Sequence, residues 1–218
     1  VQQAQVTLAM QENRLEQAQA VARKVQAQRP DEALGFNMEG DVELRRKAWD
    51  AAAAVLRKAI ARSNPGPAAQ RLHVALLASG KTADAAALAQ DWRQKHPDDL
   101  GFVLYLGDQA MASGNAADAE ALYRQVIERD ANHMLALNNL AYVLASQKKA
   151  GAVGFAERAL KLAPKAAAVM DTLATALAAE QQLPRAVEVQ KQAVAAAPEA
   201  HNFRLQLARL QAEVVGLG

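Results

Sequence analysis

One punctuation mark recurs along this chain at spacings of 34, 33, 34, 33 and 34 residues, falling on Pro30, Asn64, Pro97, Ala131, Pro164 and Pro198. A period of this length constrains the fold more than any other property of the sequence. Each unit is too short to bury a core by itself, so its apolar faces must stack on those of its neighbours in an array of helix-turn-helix units. An array of this kind acts by presenting a surface.

The same local pattern surrounds every mark. Ten residues after each, or nine after Asn64, stand Gly40, His73, Gly107, Ala141, Ala174 and Ala208, all small except His73. Twelve residues before each mark stand Ala18, Ala52, Ala85, Ala119, Ala152 and Ala186, and five before it Val25, Ala59, Trp92, Val126, Ala159 and Ala193. Any single alanine is explained by a chain that is 51% hydrophobic, but the aligned set is not. Proline lacks a backbone donor and disfavours helix in the residue before it, so it closes one helix and opens the next. Small residues midway along a helix let two axes approach to the short end of the usual spacing.

Between the marks, apolar residues recur at helical spacing, as in Leu104, Gly107 and Met111, then Ala119, Leu122, Tyr123, Val126 and Ile127. Turns within the pairs are expected at Gln11-Glu12-Asn13, around Arg46-Lys47, and at Gly80-Lys81-Thr82, Gly114-Asn115, Gln147-Lys148-Lys149-Ala150 and Gln181-Gln182-Leu183. Glycine or asparagine there supplies a left-handed helix end. The expected fold is all-α: about six antiparallel helix pairs over 1–30, 31–64, 65–97, 98–131, 132–164 and 165–198, closed by a single helix over 199–214. That last helix carries Arg204, Gln206, Arg209, Gln211 and Glu213 and reads as a polar-faced cap. With no linker richer than Ser63-Asn64-Pro65-Gly66-Pro67, an irregular corner at a junction, the whole of 1–218 reads as one domain.

A net charge of +2, with both signs interspersed, gives no nucleic-acid footprint. No apolar run is long enough to span a bilayer. The chain starts at Val1 inside a repeat, so an upstream part that would hold any signal peptide or lipid anchor is expected. The absence of cysteine neither requires nor excludes an oxidising compartment.

Chemical motifs are decoys. Gly80-Lys81-Thr82 resembles the end of a phosphate loop, but the glycine needed five residues earlier is Ala75, within a helical stripe. His73, His96, His133 and His201 are too scattered for a metal pair and read as solvated loop residues. Glu39, Asp41 and Glu43 read as helical carboxylates on a solvated or groove face rather than as paired acids. No nucleophile elbow is present. The expectation is no enzyme, no cofactor and no metal.

The whole chain resembles tetratricopeptide repeat proteins. Within them it is similar to the C-terminal part of the TPR-repeat lipoproteins of the bacterial exosortase (PEP-CTERM) system. The segments that carry the resemblance are Gly35-Phe36-Asn37-Met38-Glu39-Gly40-Asp41, His96-Pro97-Asp98-Asp99, Leu104-Tyr105-Leu106-Gly107-Asp108, Leu137-Asn138-Asn139-Leu140-Ala141-Tyr142 and Met170-Asp171-Thr172-Leu173-Ala174. The resemblance implies a right-handed superhelix and a scaffold that assists exopolysaccharide production and associated protein sorting. It implies a place in the bacterial cell envelope or periplasm, lipid-anchored through an N-terminal segment absent here, with a cytoplasmic site left open.

The resemblance also implies that the first helix of every pair lines the concave side. Its groove candidates are Asn37, Asp41, Gln70, Arg71, Tyr105, Asp108, Asn138, Asn139, Tyr142, Asp171, Thr172 and Thr175. Amides and hydroxyls suit an extended peptide backbone, and tyrosine gives contact area at small entropy cost. Asn139, Asp171 and Thr172 are equally read as satisfying bonds between helices or to the backbone. Asn138, Tyr142, Tyr105 and Asp108 are the stronger candidates. No set of Lys and Asn resembles the carboxylate clamp of chaperone-binding TPR proteins, which disfavours a terminal-carboxylate ligand. The expected partner is a protein or peptide in the groove, without nucleic acid, and homo-oligomerisation is left open. Two further functions stay in view: the regulatory arm of a larger enzyme such as a glycosyltransferase, and a surface that binds polysaccharide directly.

Overall fold

The computed structural model describes residues 1–63, 65 and 67–216. The mark Asn64, Gly66 of the proline-rich corner and the last two residues lie outside the described residues. Thirteen α-helices and no strand are present among the described residues. Packing divides the chain into two compact units, Val1–Phe102 and Val103–Gly218, where the even spacing of the marks predicts one array.

The first unit contains α1 (Gln2–Gln11), α2 (Leu15–Gln28), α3 (Leu34–Arg45), α4 (Trp49–Ile60), α5 (Ala68–Ala78) and α6 (Thr82–Lys95). Helix α7 (Leu100–Ala112) begins there and continues into the second unit. The second unit adds α8 (Ala116–Arg129), α9 (Met134–Ser146), α10 (Ala152–Leu162), α11 (Ala167–Ala179), α12 (Leu183–Ala196) and α13 (His201–Val214). Within each unit consecutive helices pack together across short turns, the geometry of antiparallel pairs. First helices of successive pairs also touch: α1 on α3 and α3 on α5 in one unit, α9 on α11 in the other.

All six turns within pairs share one hydrogen-bond pattern. In the first, Arg14 N donates to Ala9 O and Asn13 N to Met10 O, and the same two bonds recur through Lys47, Gly80, Gly114, Lys148 and Gln181. This double closure satisfies carbonyls the helix leaves open and requires a left-handed residue just past the end. Asn13, Gly80 and Gly114 fill that place as expected, but Lys47 (φ 59°), Lys148 (φ 52°) and Gln181 (φ 62°) fill it without the usual residue type. Tertiary packing of the pairs therefore imposes the turn where local preference does not.

Junctions between pairs follow a second rule. Arg29, His96, Ala163 and Ala197, each just before a proline, leave the helical region, as the proline ring requires. Asp130 does the same before Ala131, so the geometry belongs to the repeat and proline only favours it. The corner after α4 departs from this rule. Ser63 N donates to Asp31 O, Ala33 N to Ser63 O, and the Arg62 guanidinium to Pro30 O, tying this junction to the preceding one.

The aligned alanines Ala18, Ala52, Ala85, Ala119, Ala152 and Ala186 are at most 1% exposed, which makes them the inter-helix contacts the offsets predict. Gly40 and Gly107 mark the closest approaches: a Cβ added there would stand 2.5 Å from Leu56 Cδ2 and from Tyr123 Cε1 respectively. Around these contacts lie Val25, Val42, Leu56, Leu72 and Leu76 in the first unit and Leu140, Leu144, Leu173 and Leu177 in the second. Each such leucine contributes on the order of 2 kcal/mol by burial. Ala208 is the one aligned small residue that is exposed, since no described helix follows α13 to cover it. Only Phe203 and Leu210 of α13 are buried, and its exposed face carries Arg204, Arg209, Gln211 and Glu213 together with Leu205 and Val214, so it is less polar than the cap the sequence predicts.

The histidine reading needs one correction. His73 lies within α5 at 6% exposure, its ring edge-on to Phe102 with centroids 6.4 Å apart, and burial lowers its pKa. The other three sit at junctions: His96 stacks on Trp92 at 3.8 Å, His133 Nδ1 caps α9 by accepting from Ala136 N, and His201 is exposed.

Candidate functional site

All twelve groove candidates fall on first helices of pairs: Asn37 and Asp41 on α3, Gln70 and Arg71 on α5, Tyr105 and Asp108 on α7, and the rest on α9 and α11. Pairs such as Asn138 and Tyr142, four residues apart, share one helix face. Six of them, Asp108, Asn138, Asn139, Tyr142, Asp171 and Thr172, border one cleft of about 470 Å³ in the second unit. Met111, Tyr123, Ala168, Asn202 and Phe203 complete its wall.

The cleft is built from contacts between successive repeats. With no side chain at Gly107, the Tyr123 ring from α8 lies against α7, and its hydroxyl donates to Asp108 Oδ1 at 2.7 Å. Asn139 Nδ2 donates to the same oxygen at 3.0 Å, and Asn138 Nδ2 to Asn139 Oδ1 at 3.2 Å. On the far wall, Gln190 of α12, 0% exposed, donates to Asp171 Oδ1 at 2.7 Å and to Phe203 O at 3.1 Å. Burial raises the Asp171 pKa above its ordinary value, against the opposing effect of the Gln190 bond. Tyr142 is 49% exposed and stands free at the rim. Thr172 and Thr175 turn their hydroxyls back to their own helix, on Ala168 O and Asp171 O. Tyr105 is half-buried, and burial pushes its hydroxyl up to about 12; it does not border the cleft.

In the first unit the candidates hold the protein together. Arg71 meets Asp41 as a two-pronged pair, with Nη2 2.8 Å from Oδ2. Burial still raises the Asp41 pKa, ahead of the lowering by Arg71. Asn37 donates to Pro65 O at 3.0 Å and Gln70 to Gly101 O at 3.0 Å, so both amides secure junction backbone. Asp41 also borders a smaller cavity, about 300 Å³, with Thr7, Met10, Gln11 and Arg45.

Glu39 and Glu43 are not on a solvated or groove face. They are 8% and 7% exposed and lie against α2, opposite Asp41. Glu39 accepts from Gln19, Arg23 and Gln26, and Glu43 from Gln19 and Arg46. A spacing of two residues turns Asp41 to the other side of the helix from both.

Sequence reasoning omitted Tyr123, Gln190, Asn202 and Phe203 from the site. Gln190 was legible in principle. It stands eight residues before Pro198, at the offset that places Ala22, Leu56, Tyr123 and Ala156 in the core, and a polar residue at a core offset needs a partner. Among the described residues there is no group of side chains able to hold a metal ion and no helix long and apolar enough to cross a membrane.

Two tetratricopeptide repeat family models match the chain, one over residues 4–67 and one over residues 76–141. Among solved structures, the C-terminal part of a TPR repeat-containing protein from Cytophaga hutchinsonii matches with a TM-score of 0.70 at 15% identity, covering 97% of this chain and 86% of its own. Yeast Tom70 matches with a TM-score of 0.72 at 15% identity over 91% of this chain and 43% of its own. The first TPR of Spaghetti (RPAP3), bound to HSP90 peptide SRMEEVD, matches with a TM-score of 0.50 at 17% identity over 53% of this chain and 93% of its own. No curated protein sequence matches the chain. At these identities the structural likenesses establish the fold alone.

Proposed function

We propose that this chain, which carries tetratricopeptide repeats, is a non-catalytic scaffold that holds a protein or peptide segment against the polar face of its first helices. The observation that carries the reading is the cleft of the second unit, where Asp108, Asn138, Asn139 and Tyr142 converge from two successive repeats. Repeats of this kind mediate contacts between proteins, and the RPAP3 domain, a neighbour in fold, is seen with a bound peptide. A cleft of this size with mixed polar and apolar walls suits a few residues of an extended chain.

The finer reading is a role in bacterial exopolysaccharide production and PEP-CTERM protein sorting, at the cell envelope and through a lipid anchor upstream of Val1. Its support is the order of the resembling segments, which supply Asn37 and Asp41, Tyr105 and Asp108, and Asn138 to Tyr142 at the first helices. The test is affinity capture from the cell envelope with the wild type beside Asn138→Ala/Tyr142→Ala. The reading expects polysaccharide-export or sorting components on the wild type and their loss from the double variant. Identical partners on both would remove the cleft from the site. Retention of the wild type on immobilised exopolysaccharide without any protein partner would replace peptide binding by glycan binding.

A further inference from the structure

Donors and acceptors are unequally matched around the second unit's cleft. Apart from the Tyr142 hydroxyl and the exposed Asn202 amide, the donors are engaged: Tyr123 and Asn139 on Asp108, Asn138 on Asn139, Thr172 on its own helix, and Gln190 on Asp171. The acceptors are not. Asp108 and Asp171 each offer a second carboxylate oxygen that no described donor meets. Asn138, which borders the cleft, keeps a buried Oδ1 without a partner, and Gln190, wholly buried behind Asp171, keeps an Oε1 without one.

Charge is as one-sided as hydrogen bonding. Two carboxylates border the cleft and no lysine or arginine does. The cations adjacent in sequence to wall residues are both held elsewhere: Arg124 on Glu120, and the Arg204 guanidinium on Pro198 O and His201 Nδ1. Burial disfavours the ionised form of Asp171, and an incoming cation would offset that effect. At the rim, the exposed face of Tyr142 suits a cation or its aliphatic stem.

We infer that this cleft takes a basic side chain, a lysine or arginine of an extended peptide segment, with its cationic head on the Asp108 or the Asp171 carboxylate and its stem along Tyr142. Lysine and arginine are the side chains that bring several donors and no acceptor, which is the complement these walls lack. An acidic segment would set carboxylates against carboxylates, and an apolar one would bury the open acceptors without a partner. The inference rests on the peptide-binding reading of the same cleft and assigns the charge of its ligand.

The test is selection from a terminally blocked heptapeptide library, randomised over lysine, arginine, glutamate, glutamine, leucine and alanine, on the immobilised purified chain. The wild type is expected to enrich lysine or arginine at one or more positions about tenfold over glutamine, the discrimination a partly desolvated charge pair supplies. Asp108→Asn/Asp171→Asn, which keeps an acceptor for Tyr123 and for Gln190, should lose that enrichment while its circular dichroism stays that of the wild type. Tyr142→Lys, at an exposed position where folding is not at risk, should lose it as well by placing a cation at the rim. Enrichment of glutamate or leucine, or a lysine preference that survives both variants, overturns the inference and leaves the peptide-binding reading standing. Failure to retain any peptide above a blank support overturns both.

Discussion

Glu39 in the first unit and Asp171 in the second are both carboxylates withdrawn from solvent, and their surroundings move their pKa values in opposite directions. Burial raises the pKa of each. At Glu39 the bonds from Gln26, Arg23 and Gln19 outweigh it, and the pKa falls below its ordinary value of 4.5. At Asp171 the one bond from Gln190 does not, and the pKa rises above 3.8. Asp41 shows that a cation alone does not decide the matter, since burial raises its pKa even with Arg71 alongside. What separates the regions is the number of donors turned on each acid. The first unit uses its acids to join helices, and the second leaves part of its hydrogen-bonding capacity open to a ligand.

The comparison assumes that both units obey one packing rule, and the largest effects test that assumption. Gly40→Leu in the first unit and Ala174→Leu in the second each force bulk into a helix contact and should cost about 1–3 kcal/mol, read as a fall in the urea midpoint. Ala150→Leu, in an exposed turn, should leave the midpoint near that of the wild type. If only one of the two core substitutions destabilises, the units are not built alike.

Neutral isosteres probe the acids themselves. Glu39→Gln removes charge from a site with three donors and should cost about 1 kcal/mol, a value held down because the Arg23 side chain is 64% exposed. Asp171→Asn, where no cation is lost, should stay within about 0.5 kcal/mol of the wild type. Equal losses would dissolve the contrast.

The pH dependence sharpens it further. A carboxyl whose folded pKa is depressed contributes stability that is present above its unfolded value and is lost as pH falls through the folded one. Glu39→Gln should therefore flatten the acid limb of a stability profile below pH 4.5. Asp171 works the other way: its raised pKa makes the folded state bind the proton more tightly, so stability declines as pH rises from 3.8 through the folded pKa. Asp171→Asn should remove that decline. Urea midpoints measured across the carboxylate range read both.

The smallest effect is the one the units should share. Lys47→Gly and Lys148→Gly relieve left-handed backbone at equivalent turns, against the added entropy of glycine in the unfolded chain, for a gain of about 0.5 kcal/mol each. Thermal midpoints should rise slightly for both, and a fall in either would mean that the lysine stem contributes packing there.

Much of the architecture was legible because it is local and repeated. The offsets placed Ala18, Ala52, Ala85, Ala119, Ala152 and Ala186 at helix contacts, and each is buried. The site was legible only in part. Choosing polar residues on first helices found Asp108, Asn138 and Tyr142, which border the cleft, together with Asn37, Gln70 and Arg71, whose polar groups hold junctions and neighbouring helices. Spacing gives the face on which a residue lies but not the donor that reaches it from the next repeat.

By itself, then, the sequence determined the helical pairs, their turns and the repeat length, because proline, small residues and 3.6-residue periodicity act within a few residues of one another. The tertiary structure alone decided which polar groups are satisfied. Asp41 finds Arg71 thirty residues away and Asp108 finds Asn139 thirty-one residues away, while Asp171 finds only an amide. Those pairings depend on side chains meeting across stacked helices, and no short-range preference encodes them.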